Sequence, residues 1–158
     1  GIYLPRGEEQ IDYHTCMEHA VPNCTSSENF RGIIADQAKA IFNGRIHIHP
    51  DAQKTRAQLS NKNLLTSNEA EVNTKPELEI YADDVQCAHG ATVAQMDATA
   101  LHYLRTRGVS RAEAQVMLSY GFVNELIDAI PCAALHTYLK PLLAKRFARS
   151  PKLARHLI

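Results

Sequence analysis

The sequence predicts a mainly β chain with a small α-helical part at its C-terminal end. Three observations carry that expectation. Apolar and polar residues alternate at period two across residues 40–90, the apolar period changes to three and four after Gly90, and the charge changes sign at the same place. Residues 1–90 hold 8 Lys and Arg against 13 Asp and Glu, a net of −5, while residues 91–158 hold 9 against 4, a net of +5. The expected division is a β body over 1–90 and a helical domain over 91–158.

The strands come first. In "AIFNGRIHIH", Ile46 and Ile48 face one way and Arg45, His47 and His49 the other. In "PELEIYADD", Leu78, Ile80 and Ala82 share a face opposite Glu77, Glu79, Tyr81 and Asp83. The stretches "HPDAQKT" and "SNEAEVNTKP" are rich in Pro, Asn, Asp and Ser and are expected to be turns. Laying Ile46, Ile48 and Asp51 over Leu78, Ile80 and Asp83 gives an offset of 32, and "NKNLLTS" offers a third similar stretch between them. Short strands at near-regular spacing with no intervening helix fit a sandwich, a barrel or a solenoid of parallel coils. Hexapeptide regularity is absent, which argues against the left-handed acyltransferase helix.

After Gly90 the signals are helical. Asp97 is placed to cap a helix through "ATALHYLRTR" that stops at Gly108. Ser110 and Glu113 form a capping box ahead of "AQVMLSYGFVNELIDAI", where Val116, Met117, Tyr120, Val123, Leu126 and Ile127 recur at helical spacing. A third segment, "CAALHTYLKPLLAKRFARS", carries Pro141, which is expected to kink or break it. The apolar arc of these helices is wide, and both packing against neighbouring elements and docking of a partner account for it.

Composition excludes several function classes. Cys16, Cys24, Cys87 and Cys132 form neither a dense disulfide framework nor paired CxxC knuckles, so reduced thiols and a cytoplasmic location are expected. No apolar run approaches the ~20 residues that a membrane span needs, and the basic half has no Trp and no stacking motif for nucleic acid. The chain opens without Met and reads as part of a longer protein. Two groups of metal-capable residues stand out. His14, Cys16, His19 and Cys24 include a workable ligand spacing, but two separated knuckles are missing; a strand with buried thiols and solvent-facing or hydrogen-bonded imidazoles fits the spacing better. In "QCAHGAT", Cys87 and His89 are two apart and so share one side of any strand. An enzyme would need acids or bases converging on one face; Asp83 and Asp84 are adjacent, and no Ser–His–Asp order, phosphate loop or HExxH is present.

A family resemblance rests on longer strings. "YADDVQCAHGATVAQMDATALHYLRTRGVSRAEAQ", "HAVPNCTSSENFRGI", "AKAIFNGRIHI", "AQKTRAQLSNKNLL" and "TKPELEIYADDV" stand in order over most of residues 1–130. The sequence resembles the SufB/SufD family of SUF iron–sulfur cluster assembly scaffold subunits, most closely its SufD branch, without that family's N-terminal helical region. The resemblance implies a right-handed parallel β-helix followed by a helical C-terminal domain, and no enzymatic activity in this subunit. It implies pairing with a SufB-like subunit through the β-helix and docking of a SufC-like ABC ATPase through the C-terminal helices, the matching positions being Tyr120, Phe122, Val123 and Leu126. It assigns His89, accompanied by Cys87, to a transient iron or iron–sulfur cluster at the SufB interface, with no stably bound cofactor. An open β-helix end also favours self-association of the isolated chain. The runner-up is a metal-dependent hydrolase or lyase on a β scaffold, and the basic tail "HTYLKPLLAKRFARSPKLARHLI" departs from the family pattern.

Overall fold

The computed structural model describes residues 1–147. The basic tail beyond them, which closes the expected 91–158 domain, lies outside the described residues. The chain divides into two compact units, Gly1–Ala94 and a second that starts at Gln95.

The first unit contains seven strands: β1 (Ile2–Tyr3), β2 (Gln10–His19), β3 (Thr25–Ile34), β4 (Lys39–Ile48), β5 (Arg56–Leu65), β6 (Glu71–Ile80) and β7 (Gln86–Gln95). Successive strands alternate between two sheets, ordered β1-β3-β5-β7 and β2-β4-β6. The pairs β1–β3, β2–β4, β3–β5 and β4–β6 are all parallel. Each crossover between paired strands is a strand of the other sheet, so the chain winds as a parallel β-helix of about 3 turns. Of the three all-β alternatives, the solenoid is the one formed. The offset of 32 is the register itself: Ile46 lies beside Leu78 and Ile48 beside Ile80.

Alternate residues point inward. Phe42, Ile46, Ile48 and Leu59 are fully buried and form one cluster with Ala52, Ala57 and Ala82. Tyr3, Ile34, Ala38, Ala40 and Ala70 form a second. Full burial of each large side chain is worth about 1.5–3 kcal/mol. Gly44 occupies an inward position because the Phe42 ring fills the space: an added Cβ would stand 2.6 Å from Leu59 Cδ1 and 2.8 Å from Phe42 Cε1. Corners stack as the strands do. Asn23 and Lys54 both adopt the left-handed conformation, at φ 62° and 61°, and the Asn23 N–H donates to the Gln53 carbonyl at 2.9 Å.

The interior also holds a polar column. Asn61 and Asn63 are buried on β5. The Asn61 amide donates to the Tyr3 hydroxyl (2.9 Å), which donates in turn to the Asn63 carbonyl oxygen. Asn63 Nδ2 donates to Asn61 Oδ1 (2.5 Å) and to the Thr92 carbonyl (3.3 Å), while Thr74 Oγ1 donates to Asn61 Oδ1 at 3.0 Å. Strands β1, β5, β6 and β7 are thereby tied together inside the coil. Burial holds the Tyr3 hydroxyl above its ordinary pKa, against the opposing effect of its amide partners.

Several expectations need correction. "SNEAEVNTKP" is not a turn beyond its first residues: β6 begins at Glu71 and passes through Pro76, which an outer strand tolerates. Asp83 and Asp84 lie in a bend after β6, not on a strand. "QCAHGAT" does not end the body, because β7 runs through it to Gln95, and Gly90 is a mid-strand residue without positive φ. The units therefore divide between Ala94 and Gln95, later than Gly90.

The second unit contains α1 (Ala98–Thr106), α2 (Arg111–Asp128) and α3 (Ala133–Phe147). The Asp97 side chain accepts from the Thr99 N–H, and Ser110 and Glu113 form the full capping box. Gly108 follows α1 at φ 86°. Pro141 does not end α3; it removes only the donor that would reach the Thr137 carbonyl, and the helix continues to Phe147. Among the described residues no helix is long and apolar enough to cross a membrane.

The amide column generates a stability prediction. Asn61→Ala leaves Tyr3, Asn63 and Thr74 each short of a partner, so a loss of about 1–3 kcal/mol is expected. Urea unfolding followed by circular dichroism measures it, and an unchanged midpoint would contradict a structural role for the column.

Candidate functional site at the open end of the coil

β7 is the last strand of its sheet and is held to the coil beneath it, where the Gln86 N–H donates to the Thr55 carbonyl at 2.9 Å. Strand alternation puts Cys87, His89, Ala91 and Val93 on one side. Cys87 is half-buried against the cluster of Phe42, Ile46 and Leu59, so this is the inner side of the coil. The other sheet ends at β6, so no further strand of the described residues lies across from β7. His89, Ala91 and Val93 are therefore exposed although they continue an inward-facing row. His89 stands at the open mouth of the coil, not at a strand-to-helix junction.

Desolvation pushes the Cys87 thiol above its ordinary pKa, with a backbone hydrogen bond from Ala57 opposing it. An open groove of about 390 Å³ runs beside this thiol, lined by Ser26, Ser27, Arg56, Gln58 and Gln86 among others. Thiolate and imidazole suit iron and iron–sulfur ligation. Two such groups are too few to close a site alone.

The N-terminal group does not converge. His14 pairs with Asp12 at 3.0 Å and is exposed. Cys16 is exposed, not buried as expected, and Arg45 Nη2 donates to its sulfur at 3.5 Å. His19 is buried, with Nε2 2.8 Å from Ser26 Oγ, and the Cys24 thiol lies 3.9 Å from the Pro22 carbonyl. All four cysteines are free.

The four helix positions separate into two kinds. Val123 is fully buried, with 0% of its surface exposed, and serves packing. Tyr120, Phe122 and Leu126 are half-buried, and Tyr120 packs edge-on against Phe147 with ring centroids 6.0 Å apart. A more exposed apolar stripe lies on α3, where Leu135, Tyr138 and Leu142 recur at three and four residues. The break expected at Pro141 hid it, since the stripe exists only if the helix continues.

Comparison with known proteins reaches across both units. Residues 1–122 match the family described as SUF system FeS cluster assembly, SufBD core domain. The iron–sulfur cluster assembly protein SufD of Escherichia coli is 45% identical over 129 residues, covering 82% of this chain and 30% of that protein. An iron–sulfur cluster assembly SufBD family protein of Synechocystis is 37% identical over 140 residues, 89% of this chain and 31% of the relative. SufD of Bacillus subtilis is 29% identical over 148 residues, 92% of this chain and 33% of the relative. The chain thus spans about a third of the length of these relatives.

Thiol reactivity checks the geometry of β7. Cys16 and Cys132 are exposed, whereas Cys87 is half-buried and its thiolate disfavoured. Brief iodoacetamide treatment at neutral pH, mapped by peptide mass spectrometry, is expected to label Cys132 well before Cys87. Equal labelling would show that the packing around Cys87 does not shield it.

Proposed function

The chain belongs to the SufBD core family of the SUF iron–sulfur cluster assembly system, and we propose that it serves there as a non-catalytic scaffold whose open coil end completes a metal-handling site with a second subunit. The observation that carries this reading is the exposed row beginning at His89, beside a strand whose outer edge has no partner among the described residues. An unpaired strand edge is a template for another strand. A SufB-like subunit docked there would supply the ligands that Cys87 and His89 lack. His89, being exposed, is the group that contributes to a transient iron or iron–sulfur cargo; Cys87, packed and with its thiolate disfavoured by burial, mainly shapes the floor. ATP hydrolysis falls to a SufC-like ABC ATPase, docked on the helical unit through Phe122 and Leu126 and the α3 stripe.

Co-expression of the full-length protein with SufB-like and SufC-like partners, followed by anaerobic purification, tests the first part. His89→Ala is expected to leave the complex assembled while lowering its iron and sulfide content. Unchanged iron content in an intact complex would remove His89 from the site.

Tyr138 tests the second part, since it is 66% exposed and replacing it costs the helical unit little packing. Tyr138→Glu is expected to abolish co-purification of the ATPase with far-UV circular dichroism unchanged. Full retention of the ATPase would move the docking surface elsewhere.

A further inference from the structure

Away from the coil mouth, the outer face of β2-β4-β6 carries a second constellation. The ladder sets Glu18, His47 and Glu79 side by side in one rung, one residue from each strand. His49 follows β4 immediately, two residues beyond His47, and its ring meets that of His47 edge-on with centroids 4.7 Å apart. Glu18 Oε1 lies 2.7 Å from His49 Nε2, and His47 Nδ1 lies 2.7 Å from Glu79 Oε2. Ligand atoms of Glu18, His47 and His49 all fall within 4.8 Å of one another. The side chains are partly exposed, so an ion and its waters can reach them.

We propose that Glu18, His47 and His49 form a binding site for a divalent first-row transition ion of the zinc or ferrous type, on the outer face of the sheet and separate from the coil mouth. Two imidazoles and one carboxylate suit such an ion and not magnesium or calcium, which take oxygen ligands. Glu79 is the orienting partner. A carboxylate only accepts, so His47 Nδ1 carries the proton and Nε2 is left with its lone pair for the metal. The same rule puts a proton on His49 Nε2 toward Glu18, and ligation through that nitrogen releases it to solvent. Arg45, a nearby cation, is engaged by Glu79 at 3.4 Å and by the Cys16 sulfur, which limits its repulsion of an incoming ion. Water fills the remaining positions. The site does not rest on the cluster-assembly reading, and neither result decides the other.

Titration calorimetry of the full chain with Zn²⁺, alongside visible spectra with Co²⁺, tests the site. One equivalent is expected to bind, with a Co²⁺ spectrum lacking the intense near-ultraviolet band of thiolate ligation. Glu18→Gln and His49→Ala should each weaken Zn²⁺ binding by about tenfold or more, and Glu79→Gln by about 10- to 100-fold. His14→Ala, on the same face but paired with Asp12, should change nothing. Glu18→Gln keeps a hydrogen-bonding partner for His49, so a folded variant with lost binding separates ligation from stability. The proposal is overturned if wild type binds no more tightly than the His47→Ala, His49→Ala double variant, if a thiolate band appears, or if His14→Ala weakens binding equally.

Discussion

Every long strand of the body finds its backbone partners in a strand about thirty residues away, and the rest of the molecule depends on that ladder. With no helix between paired strands, buried N–H and C=O groups are satisfied only when one coil lies in register on another. Coil length is therefore constrained: 29 residues from Glu18 to His47, 31 from Thr25 to Arg56 and 32 from His47 to Glu79. Once the coils are stacked, side chains of like orientation form columns. The buried column is apolar at Phe42, Ile46 and Leu59 and polar at Asn61 and Asn63. The outer column of β2, β4 and β6 becomes a row of imidazoles and carboxylates. One constraint thus produces the core, the amide network and the outer rung.

How much of this was legible depended on whether a signal was local or required the register. Helix caps are local, and Asp97, Ser110 and Glu113 do what their spacing indicates. The offset of 32 was visible because β4 and β6 both carry aliphatic residues on the matching positions. The shorter steps were hidden because the inward row of β5 contains Asn61 and Asn63 and that of β4 contains Gly44, which breaks an apolar alternation read as the sign of a buried face. β7 was obscured for a related reason: beyond Cys87 its inner row is uncovered, so His89 and Ala91 give no apolar alternation to read. Adding the β2–β4 step to Glu18 would have disclosed the rung with His47.

The two candidate sites differ in the same way. That Cys87 and His89 share a side follows from strand period alone, but their unequal exposure follows from the coil ending with β7 itself. In the helices, periodicity correctly grouped Tyr120, Val123 and Leu126 as one apolar face, yet periodicity does not say which member is innermost. Val123 is, and the surface most open to a partner lies instead on α3.

Pro76 gives the coil end a polarity. The Glu71 and Tyr81 N–H groups donate to the Ala38 and Ile48 carbonyls of the β4 side, so odd-numbered amides of β6 point into the ladder and even-numbered ones point outward. Pro76, an even position, withholds a donor from the outer edge while costing the inner ladder nothing. An incoming strand would meet a gap midway along β6 but none from proline along β7, whose sequence contains no proline. The molecule thus carries a chain terminator on one sheet and an invitation on the other, so that lengthening of the solenoid by a passing strand is biased toward a single side of its end.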